Sequence, residues 1–278
     1  MEFFAPAKVN LSLRVFRRRE DGFHEIESLL CPLSLFDTLE FAHREEDSLE
    51  FLCDDTTLPT GDDNLVVRAA KLFCESCGVE PRLRIQLTKR IPHGAGLGGG
   101  SSDAAATLIG LNRLFETQLS REALSAMAAD LGSDVPFFIY QSAAIIRGRG
   151  ERVDPVAFPH ELPLFLIKPP FGVPTPWAYK HWRDSREVSG VRYDAQEFPW
   201  GALVNDLERP VFEKYLFLAD LKSWLLAQAE VAGALMSGSG ATIFAVLHDK
   251  SGAESLAPRV VAEFGTNLWC CVCETVGG

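Results

Sequence analysis

Residues 89–114 read KRIPHGAGLGGGSSDAAATLIGLNRL, and this stretch decides how the rest of the chain is read. Five glycines fall within seven residues, Gly94, Gly96, Gly98, Gly99 and Gly100, followed by Ser101, Ser102, Asp103 and an Ala/Leu-rich run of helical period. Glycines let backbone N–H groups turn inward toward a guest, and Ser101 or Ser102 can cap the helix that follows. The first turn of that helix has unpaired amides and the positive end of the dipole. Loop and helix together predict a cradle for a phosphate chain.

The cradle lacks the Gly-Lys-Ser/Thr ending of a Walker A loop, and Gly94, Gly96 and Gly99 fit the dinucleotide spacing loosely. The preceding stretch, Leu83-Arg-Ile-Gln-Leu87, alternates like a strand with one wet face. A central parallel strand, buried on both sides, would be apolar throughout.

Composition sets the outer limits. The 278 residues are 47% hydrophobic and 23% charged, enough for a sizeable core, and no apolar run approaches the ~20 residues of a membrane helix. Met1-Glu-Phe-Phe4 does not start like a signal peptide, so a cytoplasmic protein is expected. The net charge of −11 argues against nucleic acid or an anionic membrane as partner. A phosphorylated small molecule would instead need a locally cationic site, for which Lys8, Lys89 and Arg90 are available. Seven cysteines are an odd count that predicts no disulfide framework. Cys74-x-x-Cys77 and Cys270-Cys271-x-Cys273 fit a helix turn and a terminal strand better than a zinc site.

Phe3 to Val15 alternates as a strand with one buried face, which puts Lys8, Asn10 and Ser12 together on the other. Asn64 to Cys77 reads as an amphipathic helix ended by Gly78. Asp134 stands at a helix start with Pro136 in the first turn, and the Pro-rich stretch from Asp154 to Pro163 marks a domain boundary. Asp206 and Glu208 of Asn205-Asp-Leu-Glu208 open another helix, and Met236-Ser-Gly-Ser-Gly240 forms a second glycine loop.

Pro92-x-Gly-Ala-Gly-Leu-Gly-Gly-Gly-Ser-Ser-Asp-Ala-Ala105 resembles the phosphate-binding motif of the GHMP kinases. Ala5-Pro-Ala-Lys-Val-Asn-Leu-Ser-Leu13 and Met236-Ser-Gly-Ser-Gly-Ala-Thr242 resemble two further motifs of that superfamily, in the same order. Gly22-Phe-His-Glu25, Leu131-Gly-Ser-Asp-Val-Pro-Phe-Phe138 and Asn205-Asp-Leu-Glu208 narrow the resemblance to the branch whose acceptor is 4-diphosphocytidyl-2-C-methyl-D-erythritol, an intermediate of the non-mevalonate isoprenoid route.

The resemblance implies an α+β GHMP kinase fold, with an N-terminal ATP-binding domain over 1–155, a C-terminal ferredoxin-like domain over 156–278, and the active site in the cleft between them. It implies ATP with Mg²⁺ as cofactor, Ser101 and Ser102 being candidate ligands of the metal, and no obligate protein partner. ATP would be held by Pro92, Gly94, Ala95, Gly96, Leu97, Gly98, Gly99, Gly100, Ser101 and Ser102, with Asn64 and Lys89 near adenine. Lys8 would neutralise charge near the transferred phosphate, and Asp134 would take the acceptor proton. Asn10, Phe23, His24, Tyr179, Ser237 and Gly238 would hold the acceptor. Phe23 replaces a tyrosine of relatives and Leu30 an aromatic residue, which implies a base clamp with fewer rings. The alternatives are a GHMP kinase for another small alcohol and a catalytically silent nucleotide-binding protein of the same fold.

Overall fold

The structure is a computed structural model that describes residues 1–46 and 48–277. Two long strands open it, β1 (Glu2–Arg18) and β2 (His24–His43), followed by β3 (Leu49–Cys53), α1 (Leu65–Cys77) and β4 (Leu83–Thr88). Helices α2 (Gly99–Leu114), α3 (Arg121–Leu131) and α4 (Val135–Tyr140) lead to a hairpin of β5 (Ala144–Gly148) and β6 (Arg152–Pro155). The second half comprises β7 (Pro163–Lys168), α5 (Thr175–His181), β8 (Gln196–Phe198), β9 (Gly201–Asn205), α6 (Glu208–Lys214) and α7 (Leu216–Leu226). It ends with β10 (Val231–Met236), β11 (Ile243–Leu247), α8 (Gly252–Phe264) and β12 (Trp269–Glu274).

Period-2 patterning sorts these strands into two sheets packed face to face. In β7, Leu164 and Leu166 join Leu235, Phe244 and Val246 in a core shared with Val9, Leu11 and Leu33 of the first sheet. The alternate residues Phe165 and Ile167 turn to the opposite face, toward the same core as Leu221 and Leu225 of α7 and Leu256 of α8. The second sheet has the order β10-β11-β7-β12 and is antiparallel throughout. Its strands, numbered in their own chain order, therefore run 2-3-1-4, the ferredoxin-like arrangement expected of the C-terminal half.

Strands β8 and β9 do not stay with that half. They extend the first sheet, order β3-β4-β2-β1-β9-β8, and β9 runs parallel to β1 at Ser12↔Val204 and Leu13↔Asn205. Strands β1 to β6 with this returning pair thus make the first sheet, and β7, β10, β11 and β12 the second.

One alternation is corrected. Strand β1 has no single buried face, because its pairing with β2 shifts register between Pro6 and Lys8 and again between Asn10 and Ser12. Phe3, Ala5, Leu13 and Val15 pack toward the helices, whereas Ala7, Val9 and Leu11 pack between the sheets. A register irregularity flips side chains to the other face. Lys8 and Asn10 are thereby turned toward α2 and α4 and are buried, not solvated.

Candidate active site

The glycine loop is fixed from three directions. Ala95 and Leu97 sink into the core between the sheets, the Lys8 amide donates to the Leu97 carbonyl at 2.9 Å, and Thr242 donates its amide to the Ala95 carbonyl. The second glycine loop lies directly against it. Ser237 Oγ donates to the Gly96 carbonyl at 2.9 Å, and a Cβ on Gly96 would stand 2.3 Å from the Ser237 carbonyl oxygen. Asn205 clamps that second loop by donating from Nδ2 to the carbonyls of Met236 and Gly238, both at 2.7 Å.

Helix α2 starts inside the glycine run. Gly98 is its N-cap at φ +73°, where a Cβ would meet Phe138 Cζ at 2.8 Å and Lys8 Cγ at 3.1 Å. The expected serine cap is therefore corrected: Ser101 and Ser102 lie within the first turn, and no side chain caps the helix. Its first amides are left to a guest. Ser102 Oγ is buried there and has no hydrogen-bond partner among the described residues.

Beneath this cradle, Lys8 is 3% exposed and its Nζ lies 2.6 Å from Asn10 Oδ1 and 3.7 Å from Asp134 Oδ2. Asn10 is oriented in turn by Nδ2 donating to Ser28 Oγ at 2.8 Å. Burial pushes the Lys8 ammonium below its ordinary pKa, and the charge of Asp134 opposes that shift. A Cβ on Gly238 would stand 3.3 Å from both Lys8 Nζ and Asn10 Oδ1, so the second loop closes on the same point. Asp134 does occupy the N-cap position of α4, yet its side chain makes no capping bond. The carboxylate turns to Lys8 instead, and its side chain remains 40% exposed.

Asp134 lines a cavity of about 1120 Å³, shared with Phe23, His24 and Tyr179. The Tyr179 ring stacks on His24 at 5.8 Å and 23°, while Trp182 meets His24 edge-on at 5.7 Å. Burial, with the nearby Arg18 guanidinium, holds the His24 imidazole below its usual pKa and so favours the neutral ring. Burial and then the Asp134 charge push the Tyr179 phenol up, so it stays a hydroxyl. Leu30, expected at the clamp, is 0% exposed and belongs to the core behind it. Trp182, at the C-terminal end of the helix that carries Tyr179, adds a further ring to the cavity wall, a residue the sequence reading missed although its spacing from Tyr179 is almost one helical turn.

Two expected adenine contacts carry other duties. Asn64 caps α1, accepting from the Val66 amide and donating to the Pro59 carbonyl; Leu65 beside it faces Gly100 of the cradle. The Lys89 ammonium is held by Asp37 and Asp103 and is 9% exposed, so it is not the open cation that composition suggested. No group of His, Cys, Asp or Glu among the described residues is arranged to hold a metal, and the cysteines are all free thiols.

The GHMP kinases N terminal domain matches residues 64–142 and the GHMP kinases C terminal domain residues 197–267. A 4-diphosphocytidyl-2-C-methyl-D-erythritol kinase of Methylacidiphilum infernorum is 42% identical over 96% of this chain and 93% of its own. The enzyme of that name from Syntrophotalea carbinolica is 38% identical over 92% and 94%. A crystal structure of 4-(cytidine 5'-diphospho)-2C-methyl-D-erythritol kinase superposes with a TM-score of 0.83 at 38% identity, covering both chains fully. Homoserine kinase from Cytophaga hutchinsonii, 21% identical over this whole chain and 94% of its own, shares the fold with a TM-score of 0.72. This chain belongs to the GHMP kinases, ATP-dependent phosphotransferases, and within them to the 4-diphosphocytidyl-2-C-methyl-D-erythritol kinase family.

Proposed function

We propose that this protein transfers the γ-phosphoryl group of ATP to the 2-hydroxyl of 4-diphosphocytidyl-2-C-methyl-D-erythritol, giving the 2-phosphate and ADP. One observation carries the reading: the Lys8–Asp134 pair sits at the seam where the glycine cradle meets a cavity lined by rings. A phosphate donor and an aromatic-bound acceptor would meet there.

Phosphoryl transfer has a loose transition state, so positioning and charge neutralisation do most of the catalysis. The amides of residues 94–101 hold the ATP phosphates, with the Ser102 hydroxyl beside them, Pro92 shaping the approach and Asn64 and Lys89 stiffening the adenine side. Asn10 and Gly238 fix the Lys8 ammonium from the side, with Ser237 tying that loop to Gly96, so it can neutralise charge without reorganising. Asp134 accepts the hydroxyl proton or orients that hydroxyl toward the phosphorus. His24 and Tyr179 take the cytosine, and Phe23, 49% exposed, forms the outer lip.

Mg²⁺ prefers a few hard oxygen donors and keeps much of its water. The unpartnered Ser102 hydroxyl fits that preference, with Ser101 its neighbour on the same turn; Ser102 would hold an ion that offsets charge between the phosphates. We place the ATP-binding unit at 1–155 and the ferredoxin-like unit at 156–278, with the β8–β9 pair crossing back. No helix among the described residues is long and apolar enough to cross a membrane, which accords with a cytoplasmic enzyme.

The test is ADP release by the purified protein with ATP, Mg²⁺ and the diphosphocytidyl acceptor, against mevalonate and homoserine. Release with the cytidyl acceptor alone is expected. Equal release with an aliphatic alcohol would refute the acceptor assignment, and ATP binding without any release would point to a silent binding protein.

A further inference from the structure

Two strand ends carry more positive charge than the fold uses, Arg17-Arg18-Arg19 and Arg147-Gly148-Arg149. Arg19 is tied to Asp21 and Glu25, and Arg147 to Glu27 and Asp154. Arg17, Arg18, Arg149 and Arg183 enter no ion pair among the described residues, yet all four line the large cavity. With Lys180 they make five cations against three carboxylates there, on a chain whose net charge is −11. Such a local reversal of sign marks a wall built for an anion.

Arg149 is the best placed of them. Its guanidinium lies 5.3 Å from the centre of the Phe23 ring at the cavity lip, and its backbone amide donates to Glu151 Oε2 at 2.7 Å, which fixes the turn. An arginine resting on a ring is pre-organised, with its N–H fork free to grip phosphate oxygens two at a time. Arg18 is steadied by donating from Nε to the Gly22 carbonyl, beside His24.

We propose that Arg149, backed by Arg17, Arg18 and Arg183, grips the acceptor's diphosphate and makes the cavity select a nucleoside diphosphate over the bare nucleoside. This rests on reading the cavity as the acceptor site. It also assigns the phosphate-reading charge on the acceptor to side chains, whereas the cradle reads ATP with backbone amides.

Calorimetric titration of the full chain with CDP and with cytidine tests it, alongside acceptor kinetics for Arg149→Ala and Arg149→Lys. Wild type should bind CDP the more tightly. Arg149→Ala should cut that preference roughly 10–100-fold, the worth of a charge-assisted contact, with cytidine affinity and kcat held and acceptor KM raised. Arg149→Lys should recover only part, having charge without the fork. An Arg149→Ala protein that keeps the CDP preference, or that loses ATP affinity instead, would overturn the arginine assignment alone. A wild type that binds neither ligand would bring down the acceptor reading, and this assignment with it.

Discussion

The molecule has two lysine–carboxylate pairs of the same chemistry and opposite construction. Lys222 and Glu208 are each 1% exposed; Lys222 Nζ donates to Glu208 Oε2 at 2.5 Å and to the Arg192 carbonyl at 2.7 Å, while Glu208 Oε1 accepts the Met236 amide at 2.9 Å. Lys8 Nζ and Asp134 Oδ2 stand 3.7 Å apart, beyond hydrogen-bond range, with the carboxylate open to the cavity. The sealed pair has its main capacity satisfied and holds α6, α7 and the entry to the second glycine loop together. The loose pair keeps donor and acceptor capacity in reserve, and its charges face the point where a phosphoryl group and a hydroxyl would meet. What distinguishes a working ion pair from a structural one here is the bonding left unmade.

Substitution of one partner in each pair should separate the two roles. Asp134→Asn keeps the shape and removes the base, so turnover should fall by roughly 10²–10⁴-fold while ATP binding persists. Its urea unfolding should shift by about 1 kcal/mol at most, since the lost carboxylate is 40% exposed and 3.7 Å from the ammonium, whose contact with Asn10 remains. Steady-state kinetics and equilibrium unfolding on one preparation decide this, and near-normal turnover would remove Asp134 from the chemistry. Glu208→Ala should do the converse, costing roughly 3–5 kcal/mol by stranding a buried ammonium and the Met236 amide. Joint replacement of Glu208 and Lys222 by apolar residues of similar volume should recover most of that loss. A single-variant cost of only about 0–1 kcal/mol, the worth of an exposed pair, would erase the distinction.

Much of this site was legible because its residues obey local rules. A run of glycines before an Ala/Leu-rich helix has few uses other than an anion cradle, and Asn205-Asp-Leu-Glu208 opens a helix as its sequence predicts, with Asp206 accepting the Val15 amide and Glu208 sealed. The ferredoxin-like strand order was reachable only through resemblance, since periodicity says nothing about which strands are neighbours. The flip of β1 was hidden for a related reason: a register shift depends on the partner strand, and Pro6 to Ser12 alternates normally on its own. Lys89 was misread because an exposed lysine and one held by Asp37 and Asp103 look alike until residues 37, 89 and 103 are brought together. The cavity arginines were missed because Arg17, Arg18, Arg149 and Arg183 converge only in three dimensions, whereas Trp182 carried a local signal in its spacing from Tyr179.

The Lys89 cluster lies between the sealed and the loose pairs, and it sharpens the comparison by its pH dependence. Lys89 serves two carboxylates; Asp37 also accepts the amides of Arg90 and Ile91, but Asp103 Oδ1 has no partner among the described residues. Burial and the neighbouring Asp37 charge push the Asp103 carboxyl up to about 8, against the pull of Lys89. The folded pKa is thus raised above the unfolded one, so the native state keeps a proton that the unfolded chain has released. The resulting stabilisation is fully present below the ordinary carboxylate range and is lost as pH rises to about 8. Asp103→Asn abolishes that titration. Unfolding free energies from urea titrations across this interval should fall with pH in the wild type, by at most about 1.4 kcal/mol per pH unit, and run flatter in the variant. A Cβ on Gly99 would stand 3.3 Å from Lys89 Nζ, so this proton resides directly under the first turn of α2. An unchanged slope in Asp103→Asn would mean that Lys89 keeps both carboxylates ionised, and the cluster would then belong with the sealed pair.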